Sequence, residues 1–331
     1  MARRKRAAAA GAAFFDRFRS AVARLPAGLI RVRPPAAPEE IARAEAALGR
    51  PLPEAYASFL RSFDGADLFH ESVVIAGVGP GATRELGALE PGRPGELVFA
   101  EAIAGDRFAL DAGGRVLRYD PGAEERALAG SRFTSWLDAT VAREQILFGP
   151  DGEYADDVFD PSGQEVLPAI ALRQAERALK VDPGAADAEH ARGLALARLG
   201  RREAALAAFR AATELDADNP WPWFDLGRGA LALDRPAIAL PAFRRAAAAI
   251  GEPASAARLL AWCVRAAVAA GDDGAAVAAR GEALAKDPHL VDGLVRSVAD
   301  AEDDARDEAL ALVEAVAPGT PIPRRLPVIP H

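Results

Sequence analysis

The run Ser72-Val73-Val74-Ile75-Ala76-Gly77-Val78-Gly79-Pro80-Gly81-Ala82 is composed like a strand feeding a glycine loop. Such a loop cradles phosphate when a full-length helix leaves it. The residues after Ala82 do not supply that helix. Only TRELGALE stands before Pro91-Gly92, and Gly87 breaks it, whereas a parallel crossover needs roughly a dozen residues or more. Glu101 sits near the spacing of a ribose-binding acid, a placement common by chance. The loop is expected to link two strands, which leaves a nucleotide-binding enzyme as the outlying reading.

Other residue types capable of chemistry are scattered. His70, His190, His289 and His331 have no metal-ligand spacing, and no GxSxG, HExxH or GxxxxGK[ST] pattern occurs. Cys263 lies among alanines and valines of a helical run, the setting of a buried, inert thiol. Asp151, Glu153, Asp156, Asp157 and Asp160 fit no twelve-residue calcium loop and read as a solvated linker. No catalytic residue, cofactor or metal is expected.

The elements that would position any site are set by composition and periodicity. A chain of 331 residues, half of them apolar, is long enough for two cores. A lone cysteine and the absence of a long apolar span fit a cytoplasmic, non-membrane protein. Residues 1–33 carry nine Lys/Arg against one acid, while residues 34–182 carry fourteen against twenty-six. A mostly acidic body argues against nucleic-acid binding. Within the basic head, Phe14, Phe15, Phe18, Val22 and Leu25 share a helical face. That face could meet an anionic membrane surface or a partner, or dock on the protein itself.

The second half repeats itself. Ala178, Ala212 and Ala246 are spaced by 34 residues, as are Gly193 and Gly227, Ala205 and Ala239, and Phe209 and Phe243. Small residues admit a close helix partner and an aromatic four positions after the alanine fills the gap beside it. Trp223, Leu226, Gly227, Ala239, Phe243 and Ala246 carry a signature that resembles the tetratricopeptide repeat, and Gly193, Leu196, Gly200, Ala205, Phe209 and Ala212 carry it in the preceding copy. The resemblance implies stacked helical hairpins over 168–317 with a concave groove that binds peptide. Its groove-facing positions would be His190, Leu194, Arg198, Trp221, Phe224, Arg228, Arg258 and Arg265, whose cations imply an acidic ligand segment. No asparagine stands where the chaperone-tail clamp of some members needs one. Trp221 and Phe224 could equally pack between helices.

In the first half, helical patterns over residues 38–48 and 54–63 precede strand-like runs at 72–78, 96–103, 107–111 and 115–119, and a closing helix begins near Ser131. This is an α+β order with an antiparallel sheet. The run IARAEAALGRPLPEAYASFLRSFDGA resembles the SUKH superfamily signature, and GDRFALD, RVLRYD and SRFTSWLDATV come after it in that family's order.

The expected division is a basic segment at 1–34, a SUKH-like α+β domain at 35–150, an acidic linker at 151–167, helical repeats at 168–317 and a Pro-rich tail at 318–331. The resemblance implies a non-enzymatic, protein-binding role, with bacterial members acting as immunity proteins that block toxin domains, often nucleases. An acidic face could then attract a basic partner through Asp64, Asp67, Glu71, Asp106, Asp111 and Asp120. The alternative is an adaptor whose helical groove captures a peptide.

Overall fold

The computed structural model of the chain describes residues 2–89, 92–121, 125–301 and 303–322. Of the tail, residues 323–331 lie outside the described residues. Two compact units form, Met1–Arg201 and Arg202–His331.

The first unit opens with helix α1 (Ala2–Val22), then strand β1 (Ile30–Val32) and helices α2 (Pro38–Leu48) and α3 (Glu54–Leu60). Strands β2 (Ala66–Leu68), β3 (Val73–Ile75), β4 (Leu97–Ala102), β5 (Arg107–Leu110), β6 (Val116–Tyr119) and β7 (Arg126–Gly130) come next. The strands pair in chain order as one antiparallel sheet of seven. Helices α4 (Phe133–Glu144), α5 (Pro168–Val181) and α6 (Ala186–Arg198) complete the unit.

Local chemistry sets these boundaries. Pro38 opens α2, the Glu40 carboxylate accepts the Ala37 N–H at 2.8 Å, and Gly49 ends the helix in the left-handed region that its missing Cβ permits. The core lies between one sheet face and helices α1, α3 and α4. Tyr56, Phe59, Phe99 and Phe133 sit in stacked, edge-on or tilted pairs at ring spacings of 5.2–6.2 Å. The Tyr56 hydroxyl donates to the Ala76 carbonyl at 2.6 Å, so the aromatic core carries no unsatisfied phenol.

The apolar face of the basic head, Phe14, Phe15, Phe18, Val22 and Leu25, docks on this core, which is one of the alternatives its sequence left open. Phe15 is completely buried, edge-on to Phe59 at 5.7 Å, and Phe18 packs on Phe63 at 5.9 Å. Arg19 lies 4.9 Å over the Phe63 ring and donates to the Ser62 carbonyl at 3.1 Å. Burying each phenylalanine is worth about 1.5–3 kcal/mol, and rings already used in this way have no surface left to insert elsewhere. β1, also inside the expected segment, pairs with β2.

The stretch after α4 is packed chain. Val158 is buried, Tyr154 stacks on Phe148 at 4.6 Å, and bridges join Phe148 to Tyr154 and Phe159 to Val166. Helix α5 then packs on α4, and Asp182 at its end accepts the Ser131 N–H at 2.8 Å. Ala186, opening α6, joins Val98, Ala109, Leu117, Tyr119 and Leu128 on the second sheet face. The first helix pair of the expected repeat region therefore belongs with the sheet.

The second unit holds α7 (Arg202–Leu215), α8 (Pro220–Leu231), α9 (Pro236–Ala249), α10 (Pro253–Ala269), α11 (Asp273–Lys286), α12 (Leu290–Asp300) and α13 (Asp303–Val316). Helices α8 and α9, and α10 and α11, pack as hairpins. Gly227 shows why the repeat spacing matters: a Cβ there would stand 2.6 Å from the Phe243 ring, so the close approach of α8 and α9 requires glycine.

Candidate functional site

The glycine loop is filled from within. Asp64 Oδ1 accepts the Val78 N–H at 2.7 Å, and both its carboxylate oxygens accept from Gly79, at 3.3 and 3.1 Å. A Cβ on Gly79 would lie 2.6 Å from Asp64 Oδ2 and 3.0 Å from Glu40 Oε2. The backbone donors that a phosphate would need thus already hold a carboxylate, and the loop leads from β3 to the antiparallel β4 as the link expected from the sequence. Asp64 itself, 6% exposed, is a structural anchor and offers little to a partner. Asp67 is likewise buried in β2 and accepts from Thr83 Oγ1 at 3.1 Å.

Asp111 caps the β5–β6 turn. It accepts from the backbone of Gly113 at 2.9 Å and of Arg115 at 2.8 Å, and from Arg115 Nε at 2.8 Å. Partial burial works to raise its pKa, but the Arg115 and Gly113 donors outweigh it and hold the carboxyl below its ordinary value.

The remaining acids converge on one end of the sheet. Arg107 pairs with Tyr119 across β5 and β6, so Asp106 and Asp120 face one another just beyond, with Arg118 Nε 3.2 Å from Asp120. Burial and the adjacent Asp120 raise the Asp106 pKa above its ordinary value, against the opposing pull of Arg118. Glu71 is exposed in the β2–β3 turn, where Phe69, His70 and Glu71 all adopt positive φ, at 52°, 55° and 69°. The Ile103 N–H donates to the Ser72 carbonyl at 3.1 Å, which sets the β4–β5 turn beside this one. Ile103 is 80% exposed. The result is a bare isoleucine among the turns that bear Glu71, Asp106 and Asp120. A single exposed apolar residue in a turn has no periodic signal, so sequence reasoning did not single out Ile103.

Of the expected groove residues, His190, Leu194 and Arg198 lie on α6 in the first unit, where Arg198 pairs with Glu165 at 2.6 Å. The structure groups the others in the second unit. Trp221, 39% exposed, is edge-on to Phe224 at 6.3 Å, and Phe224 is edge-on to Trp262 of α10 at 5.6 Å. Arg228 and Arg265 lie over the Trp262 ring at 5.9 and 5.0 Å. Trp262, hidden in an alanine-rich run, is the centre of this cluster and was not among the expected residues. Arg228 is paired with Glu308 of α13 and Arg258 donates to Ser297 of α12. Two of the cations expected to receive an acidic ligand are thus engaged by the chain's own last hairpin.

Among the described residues, no three His, Cys, Asp or Glu side chains converge as a metal site, and no helix is long and apolar enough to cross a membrane. Burial of Cys263 pushes its thiol up to about 12.

An antiparallel sheet closed by helices, leading into helical hairpins, defines the chain's architecture. Residues 35–139 match the model of the SMI1 / KNR4 family (SUKH-1), less than half of the chain. No curated protein matches the chain. Among solved structures, MamA 41-end from Desulfovibrio magneticus RS-1 is 23% identical over 45% of this chain and 83% of its own, with a TM-score of 0.33. YrrB, described as a TPR protein with an unusual peptide-binding site, is 20% identical over 46% and 79%, with a TM-score of 0.34. Pseudomonas aeruginosa pilF is 15% identical over 56% and 76%, with a TM-score of 0.32.

Proposed function

We propose that the chain is a non-enzymatic protein-binding protein of the cytoplasm, and that its SUKH-type domain acts as an immunity-type inhibitor that docks on a basic toxin or effector domain. The observation that carries this reading is Ile103, 80% exposed beside turns bearing Glu71, Asp106 and Asp120. An apolar anchor that inserts into a partner's pocket while carboxylates around it meet cations is the anatomy of an interface hot spot. The charge of residues 34–182, fourteen Lys/Arg against twenty-six Asp/Glu, would speed encounter with a basic partner. The family match at residues 35–139 supports the same class of role.

Co-expression with the toxin-like product of a neighbouring gene tests the proposal. Protection and a co-purifying complex are expected, weakened by Ile103→Arg; neither protection nor complex would overturn it. A second reading, an adaptor that captures a peptide in the helical groove, is favoured by exposed Trp221 beside the Phe224–Trp262 cluster. A peptide pull-down insensitive to Trp221→Ala would argue against it.

A further inference from the structure

A cleft of about 470 Å³ lies between helix α5 and the end of α4 together with the turn Gln145–Leu147 that follows it. Arg173, Arg177 and Lys180 of α5 line it with Glu176, facing Ala142 and Ile146. All four α5 side chains are exposed. The three cations have no hydrogen-bond or ion-pair partner among the described residues. In this they differ from Arg198, Arg228 and Arg258, each held by a side chain of its own chain.

We propose that this cleft binds an acidic segment of a partner protein. The inference rests on reading the chain as a protein-binding protein, but concerns a different surface from Ile103. Positions 173, 177 and 180 fall on one helical stripe, about 10 Å long at 1.5 Å per residue. An extended peptide places alternate residues about 6.5–7 Å apart on one side. Two or three carboxylates at alternate positions therefore span the stripe, while the residues between them meet Ile146 and Ala142. The favoured ligand is an extended acidic–apolar–acidic segment. A nucleic acid fits less well, because its continuous phosphates would run onto a region in which acids outnumber Lys/Arg by twelve.

The test uses the full chain and a labelled Glu-Leu-Glu-Leu-Glu peptide, with the Gln-Leu-Gln-Leu-Gln peptide, inorganic pyrophosphate and a single-stranded oligonucleotide as competing arms. The Glu peptide is expected to bind, more weakly as salt rises, and the Gln peptide is not. Arg173→Ala with Arg177→Ala should raise its Kd ~10-fold or more by removing two charge contacts. Arg210→Ala in the second unit should leave it unchanged. Both α5 positions are exposed, so an unaltered thermal midpoint verifies that the double variant is folded. Equal binding by the double variant, equal binding of the Gln peptide, or tighter binding of pyrophosphate or the oligonucleotide would overturn the proposal. A complex with a basic partner that survives the double variant but not Ile103→Arg would show that the two surfaces stand or fall separately.

Discussion

Asp64 grips Gly79 with both carboxylate oxygens, at 3.3 and 3.1 Å from the glycine nitrogen, and holds the Val78 N–H at 2.7 Å as well. Removing that carboxylate leaves backbone donors unpaired in a closed setting, at a cost of about 1–3 kcal/mol. Asp64→Ala should therefore lower the urea midpoint without changing the slope of the transition. Gly79→Ala should do the same by driving a methyl against Asp64. An unchanged midpoint in both variants would show that the loop does not depend on the contact.

The Asp106 carboxyl, raised by burial and by Asp120, gives a pH signature with a definite sign. An acid that holds its proton more tightly folded than unfolded costs stability as pH rises from its unfolded pKa through its folded one. Asp106→Asn should consequently be neutral or stabilising at about pH 7, an advantage that vanishes in acid. The wild-type chain should lose affinity for a basic partner on acidification before ordinary carboxylates titrate. Thermal melts and binding titrations between about pH 4 and pH 8, spanning the ordinary carboxylate range and above, read both effects.

Gly227 leaves no room for a side chain beneath the Phe243 ring where α8 and α9 meet. Gly227→Ala should destabilise the second unit by about 1–3 kcal/mol through overpacking, despite alanine's better helix propensity. Phe243→Leu should relieve part of that penalty in the double variant. Additive losses in a double-mutant cycle would mean the two residues do not share the contact.

Cys263, with its thiol pushed up to about 12 by burial, should resist alkylation at about pH 8 in the native protein and react promptly in denaturant. A maleimide labelling time course distinguishes the two states. Rapid native labelling would place the thiol at the surface.

Helices α2 and α3 and strands β3–β6 were legible because proline and glycine punctuation and alternating runs mark them locally. β1, β2 and β7 were not. Ile30–Val32 and Ala66–Leu68 are three residues each, and their strand character comes from pairing with neighbours distant in sequence or already in place. The acids of the first unit show the same limit. Composition marks them as charged, but only the fold separates Asp64, Asp67 and Asp111, used internally, from Glu71, Asp106 and Asp120, left at the sheet end. Arg228 looked free because its partner, Glu308, lies 80 residues away.

Since β2 to β7 pair strictly in chain order, most of the sheet can be assembled by closing one connection after another between consecutive strands. Each such step loses little chain entropy, so this part of the molecule is suited to rapid self-assembly while a ribosome is still making the helices downstream. The exposed isoleucine and its flanking carboxylates would take their final places once α4 and α6, which cover the two sheet faces, have followed.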